Sequence, residues 1–488
     1  MLFLSCGNTS KNKEIEHPPT ASTALEFNAE DKALEQAFYW AKEKALSFAH
    51  DNSDPVGYWY EAALPNRQAF CMRDVSHQTI GAEILGLSKH NYNMFLKFAQ
   101  NISENLDYCS YWEINKDNLP APVDFESNTD FWYNLPANFD VTFSAYRLYQ
   151  WTGNTSYLEQ PDFKEFYKLS MNEFVDHWSL GHDKVRQRDR SMHLNLGDTK
   201  SRFGDKRGIP TYNEGGRGET LLGIDMTASL IAAYRAYANI LKLNGDILNA
   251  TKMSDMAVKE QRFLDEYWWD EERKEFKSIL YEDNSFDYFM VGDNQAFLHY
   301  LYYFDTISNQ EKLKGIVEGY KANFDKLIVE LKSYLPIMFY EYGDTAMANK
   351  MIIDLCSENN KRRDYPENSY TVIEHLTRGY MGVNVNASEK HFSTLSRLDK
   401  EDGWAELRNV PLLSNKISVL HQGVTKTTAT NQSGEAIQWI AKFPGTHEVL
   451  FIDGKRSDGL QDRDHGKPYT YVSVQLTKGA ASVVSVNQ

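Results

Sequence analysis

The sequence predicts a mainly α protein, an (α/α)6 toroid of six helical hairpins, followed by a small antiparallel β-sandwich. Three observations carry that expectation. Apolar residues recur at three- and four-residue spacing in about twelve runs between Glu30 and Gly382. The connections between those runs alternate short and long. After Asn386 the texture changes to short β-branched and aromatic runs broken by turns.

The helical series opens with DKALEQAFYWAKEKALSFAH, residues 31–50, and a second helix is expected over Arg73–Leu85. The same spacing recurs in residues 90–106, 138–153, 163–178, 221–241 and 247–269. Residues 292–304, 310–324, 335–343, 345–356 and 369–382 complete it. Short turns such as Gly153-Asn154 and Gly343-Asp344 follow every second helix. The other connections are long and rich in Pro, Gly, Asn and aromatic residues. A plain helical solenoid gives no reason for that inequality, whereas loops elaborated on one face usually build a site. The second helix of each pair then forms the inner wall, and the long loops open at one mouth. Residues 416–431, 435–445, 447–455 and 469–488 read as the strands of the sandwich. The expected domains are 1–28 as a signal remnant and linker, 29–386 as the helical domain and 387–488 as the sandwich.

Bulk properties exclude several functions. With 488 residues and a net charge of -16, the chain lacks the basic face that nucleic acid requires, and it gains nothing from an anionic membrane surface. Thirteen percent of the residues are aromatic, enough to fill a core and also line a cleft that stacks on a sugar. Cys6, Cys71, Cys109 and Cys356 form no CxxC pair and show no zinc spacing to His, so neither a metal nor a disulfide framework is expected. No run is long and apolar enough for a transmembrane helix. The opening MLFLSCGNTSKNKEIEHPP resembles the end of a bacterial lipoprotein signal. That resemblance implies an exported protein, periplasmic or anchored to the outer membrane, with Cys6 lipidated.

The long loops deliver the candidate chemistry. The first carries Trp59, Glu61, Arg73, Asp74 and His77, and the second Trp132, Tyr133, Asn134 and Asp140. The third carries Tyr212, Asn213, Glu214 and Arg217, in YNEGGRGET. Asp287, Tyr288 and Asp293 follow, then Lys332, Ser333 and Tyr334, and last Tyr365, Glu367, Tyr370 and Glu374. There is no P-loop, GxGxxG after a strand, GxSxG or HExxH, so no cofactor is expected. A pair of carboxylates is the simplest equipment left. It suits glycosidic bond hydrolysis, which needs one protonated and one ionised carboxyl.

The helical architecture over Glu30–Gly382, with MRD at Met72–Asp74, resembles the six-hairpin glycosidases, which include glucoamylases, trehalases and α-L-rhamnosidases. The Arg73-Asp74 pair matches the sugar-binding pair of the glucoamylase-like enzymes. IEHLTRGYMG, residues 373–382, is similar to a segment near the end of rhamnosidase barrels, with His375 at the matching position. By placement the resemblance implies Glu214 as general acid, with Glu219 or Asp225 as its alternatives, and Glu367 as base. The acid loop lacks the Trp-Glu-Glu of glucoamylases. Sugar contacts are expected from Arg73, Asp74, His77, Trp59, Trp132, Tyr133, Asn134, Tyr212, Asn213, Arg217, Asp293 and Tyr370. A dry aromatic wall would keep Glu214 protonated, and Arg362 or Arg363 would hold Glu367 ionised. A carboxyl separation of roughly 6.5–9.5 Å would invert the anomeric configuration, and one nearer 5 Å would retain it. Two rival readings remain. One is a polysaccharide lyase, or an unsaturated-uronyl hydrolase, working through His77, Tyr212, Asn213 and Arg217. The other is a non-catalytic glycan-binding lipoprotein.

Overall fold

The computed structural model describes residues 24–64, 66–187, 202–203, 208–214, 220–289, 297–400, 402–464 and 466–488. Cys6, Arg217, Glu219 and Asp293 lie outside the described residues.

The main helices are α1 (Lys32–Ser47), α2 (Met72–Ile84), α3 (Ser88–Asn101), α4 (Ala137–Thr152), α5 (Pro161–Leu169) and α6 (Ile224–Leu243). They continue with α7 (Ile247–Tyr267), α8 (His299–Tyr303), α9 (Gln310–Ala322), α10 (Leu335–Tyr342), α11 (Thr345–Cys356) and α12 (Pro366–Glu374). A π turn, Ser170–Phe174, extends α5, and another, His375–Tyr380, extends α12. The two sets of helices differ in burial. Every residue of α2 and α12 is buried, whereas α1, α3 and α7 bury one stripe and expose the rest.

The buried helices pack in chain order: α2 on α4, α4 on α6, α6 on α8 and α8 on α10. The π turn after α12 then meets α10, and α12 returns to α2. The odd-numbered helices cover them from outside, with α1 against α12 and α7 along α6. The return contact is made possible by Gly81, where a Cβ would stand 2.0 Å from the carbonyl oxygen of Tyr370. Only a residue without a side chain lets two helix backbones approach so closely.

The described residues after α12 form two sheets, to which an N-terminal strand is added. The strands are β1 (Glu26–Ala29), β2 (Asn384–Asn386), β3 (His391–Leu395), β4 (Trp404–Leu412), β5 (Asn415–Gln422) and β6 (Lys426–Ser433). Then come β7 (Ile437–Pro444), β8 (Val449–Ile452), β9 (Lys455–Asp458), β10 (Leu460–Asp464), β11 (Lys467–Leu476) and β12 (Ala481–Ser485). One sheet runs β1-β4-β5-β6-β12-β8-β9, and the other β2-β3-β7-β11-β10. Burial alternates along β7, the mark of a strand with one face on a core.

Three features depart from the sequence reading. β3 pairs with β7 in parallel, His391 opposite Gln438, so the sandwich is not wholly antiparallel. Residues 26–28, expected in a linker, belong to β1, which pairs with β4 at the edge of the larger sheet, Glu26 opposite Arg408. Thr220–Gly223, Glu275–Tyr281 and Phe286–Tyr288 form a small antiparallel sheet where loops and a helix start were expected.

The sandwich sits at the C-terminal ends of the buried helices. Trp151 Nε1–H, near the end of α4, donates to the Pro411 carbonyl at 2.8 Å, and Arg397 Nη1–H to that of Gly379 at 2.7 Å. The opposite face, at their N-terminal ends, is left to the long connections.

Candidate active site

Four buried helices carry a carboxylate in their first turn: Asp74 on α2, Asp140 on α4, Asp225 on α6 and Glu367 on α12. Helix N-termini favour negative charge, and here they gather it at one mouth. A cavity of about 490 Å³ opens there. Arg73, Asp74, Trp132, Tyr212, Asn213 and Glu214 line it, as the sequence predicts. Tyr365, Trp112 and Glu330 also line it.

Arg73 organises the floor. Its guanidinium lies 2.9 Å from Asp74 Oδ1 and 3.0 Å from Glu367 Oε2, and its Nη2 also donates to Tyr365 OH at 3.1 Å. Tyr365 OH in turn donates to Asp74 Oδ2 at 2.9 Å. The ring of Tyr212 lies under the guanidinium, 5.8 Å away. Glu367 is fully buried and is not among the lining residues. Burial pushes its carboxyl up to about 8, against the pull of Arg73. The arginines expected to hold Glu367 are engaged elsewhere, Arg362 with Glu330 and Arg363 with Glu358. Arg73 stands beside Glu367 in their place, without holding it ionised, and Ser333 Oγ donates to Glu367 Oε1 at 3.2 Å.

Several predicted sugar contacts are packing residues. Trp59 is buried, stacked on His50 at 4.1 Å, with its Nε1–H on Asp54 at 2.7 Å. Tyr133 is buried and its hydroxyl meets Asn138, while Tyr370 OH donates to the Ala45 carbonyl at 2.8 Å. Asn134 braces the third loop by donating to the Thr211 carbonyl at 2.8 Å. His77 lies one turn below Arg73, sealed from the cavity, and its Nε2–H donates to Asp140 at 3.1 Å. Burial and Arg73 push the His77 imidazolium well down, so the ring is neutral. Asp140 also accepts from Tyr212 OH at 2.7 Å, and so fixes a cavity wall. Asp225 accepts from Thr211 Oγ1 at 2.8 Å and from the Tyr212 amide at 2.7 Å, a loop anchor outside the cavity. Glu214 is exposed at the rim, so no dry wall surrounds it.

The structure adds a second carboxyl pair that the sequence reading missed. Ala69–Cys71 pairs with Glu113–Asn115, and this ribbon sets Arg67 beside Glu113 on one side of the cavity. Arg67 Nη1 lies 2.8 Å from Glu113 Oε2 and 3.7 Å from Asp124 Oδ2. Glu113 Oε1 and Asp124 Oδ2 are buried and receive no hydrogen bond. One proton held on Glu113 and shared with Asp124 would give both atoms a partner. Consistently, burial and the Asp124 charge push Glu113 up to about 8, although Arg67 opposes them. The one sequence signal was a lone carboxylate inside the apolar run Tyr111–Ile114.

A double layer of helices backed by a β domain is a fold that this chain shares with three solved structures. An α-L-rhamnosidase from Dictyoglumus thermophilum is 12% identical, with a TM-score of 0.58 over 95% of this chain and 51% of that one. A protein described as a kojibiose phosphorylase, from the human microbiome, is 10% identical, with a TM-score of 0.56 over 92% of this chain and 60% of that one. A GH78 family rhamnosidase of Bacillus sp. GL1 is 11% identical, with a TM-score of 0.52 over 84% and 41%. These neighbours are of the six-hairpin glycosidase superfamily. The chain spans between 41% and 60% of their lengths. No family model and no curated protein sequence matches it.

Proposed function

We propose that the chain is a carbohydrate-active enzyme, a glycoside hydrolase that cleaves glycosidic bonds with two carboxyl groups. In this reading the helices close an (α/α)6 toroid and the N-terminal mouth holds the sugar. One observation carries the proposal: a single cavity is lined both by a carboxyl pair that keeps a proton, Glu113 with Asp124, and by a carboxylate fixed by hydrogen-bond donors, Asp74 with Arg73 and Tyr365. Glycosidic cleavage needs those two states together. Glu113 is the proton donor and Asp74 the carboxylate that activates water or attacks carbon. Glu214 faces the same cavity from its rim and is the second candidate for the donor. Glu367, cut off from the cavity, positions Arg73. Trp112, Trp132 and Tyr212 supply ring faces for stacking.

The test is a screen of oligo- and polysaccharides, following reducing ends and absorbance near 235 nm together, with and without inorganic phosphate. Glu113→Gln, Asp74→Asn and Glu214→Gln are run alongside. Phosphate-independent reducing ends that fall about 10²–10⁴-fold in the first two variants support the reading. A loss confined to Glu214→Gln moves the donor to the rim. An absolute need for phosphate makes the enzyme a phosphorylase. Absorbance that persists in all three variants makes it a lyase.

A further inference from the structure

A second cavity, of about 590 Å³, opens at the other end of the buried helices, where the sandwich sits. Its walls come from the C-terminal parts of those helices: Arg147 of α4, Tyr303 of α8, Glu341 of α10, Glu374 of α12 and Arg378 just beyond. Asp464, the last residue of β10, completes the wall from the sandwich. His77 and Tyr334, whose rings meet at 4.3 Å, lie at its inner end and separate it from the mouth that holds Arg73.

We propose that this cavity is a second saccharide site, distinct from the catalytic one, taking an uncharged ligand of one or two sugar rings. Its size lies within the range of small-molecule sites. Its charges exclude anions, because Arg147 and Arg378 face four carboxylates, Asp305, Glu341, Glu374 and Asp464. The arginines are also held in place. Glu374 accepts from both, Arg147 Nη1 donates to Tyr303 OH at 2.7 Å and Arg378 Nε to Asn384 at 3.0 Å. Planar charged groups fixed in this way present paired donors and acceptors to vicinal hydroxyls. Phe143, Tyr303 and Tyr334 add aromatic faces, with successive ring centroids 5.8 and 5.5 Å apart.

The experiment titrates the whole Asp74→Asn chain, whose turnover is expected to fall about 10²–10⁴-fold, with glucose, rhamnose and cellobiose. Calorimetry gives the affinity, and amide hydrogen exchange locates the site. Binding of at least one sugar is expected, with protection in residues 300–308 and 337–343. Ile337→Trp, which fills the cavity, and Glu341→Gln are each expected to weaken it about tenfold. In the native background neither variant changes glycan turnover. Protection confined to residues 63–74 and 111–124 overturns the proposal. So does the absence of binding by all three sugars, unchanged affinity in both variants, or displacement of the sugar by spermidine or inorganic phosphate. Distal protection, together with a native protein that turns over no glycan, would sink the hydrolase reading and leave this one standing.

Discussion

Removing Arg73 tests how the candidate floor is held together. In Arg73→Met the buried Glu367 keeps only the Ser333 hydroxyl at 3.2 Å, having lost a guanidinium at 3.0 Å. Asp74 still has Tyr365 and borders the cavity, so it can be hydrated. The main cost therefore falls on Glu367. Above about pH 8, where Glu367 is ionised, breaking this buried ion pair by deleting one partner costs about 3–5 kcal/mol. Unfolding entropy of about 2.1 cal/mol/K per residue makes roughly 1 kcal/mol per degree for a chain of this length, so Tm should fall by about 3–5 °C. The companion Arg73→Met/Glu367→Gln removes the stranded charge and should recover about 1–3 kcal/mol. Thermal and urea unfolding of the four proteins in the cycle give the coupling directly. If the double variant is simply the sum of the two singles within about 0.5 kcal/mol, Glu367 is not held by Arg73 and the account of the floor is wrong.

Three further outcomes follow from the geometry. Glu113 has a folded-state pKa near 8 against an ordinary 4.5, so the folded protein binds more protons between those values. Its contribution is complete below about pH 4.5 and is lost as pH rises through about 8. The urea midpoint should fall across that window, and less steeply in Glu113→Gln; equal slopes would count against the shared proton. Gly81→Ala drives a Cβ to within 2.0 Å of the Tyr370 carbonyl, so it should cost about 1–3 kcal/mol, read from the urea midpoint. Trp151→Phe removes the 2.8 Å bond to Pro411 and should cost about 0.5–1.5 kcal/mol, with faster amide exchange at Leu412 and Leu413.

The helices were legible where each had one dry face. α1, α3 and α7 keep the three-and-four spacing because their other side meets water. α2 is buried on every side, so its sequence carries little contrast between faces. The strand Thr220–Gly223 was hidden because its partner, Glu275–Tyr281, reaches it only in space. In the site, Arg73 and Asp74 were readable because a charged pair at a helix start is a local signal. Glu113 was not, because what makes it chemical is Arg67 and Asp124, brought up by pairing across more than forty residues. The errors on Trp59, Tyr133 and Tyr370 share a cause. Hydrogen bonds to Asp54, Asn138 and the Ala45 carbonyl satisfy their polar edges and let the rings enter the core.

The edge strand Glu26–Ala29 also has a consequence in time. Its partner, Trp404–Leu412, leaves the ribosome some 375 residues later. At about 5–20 residues per second, β1 waits for roughly 20–75 s with its backbone groups open to any other strand. A synonymous recoding that slows translation between these segments should therefore raise aggregation without changing the finished protein. Moving residues 24–30 to the C-terminus on a flexible linker should abolish that sensitivity.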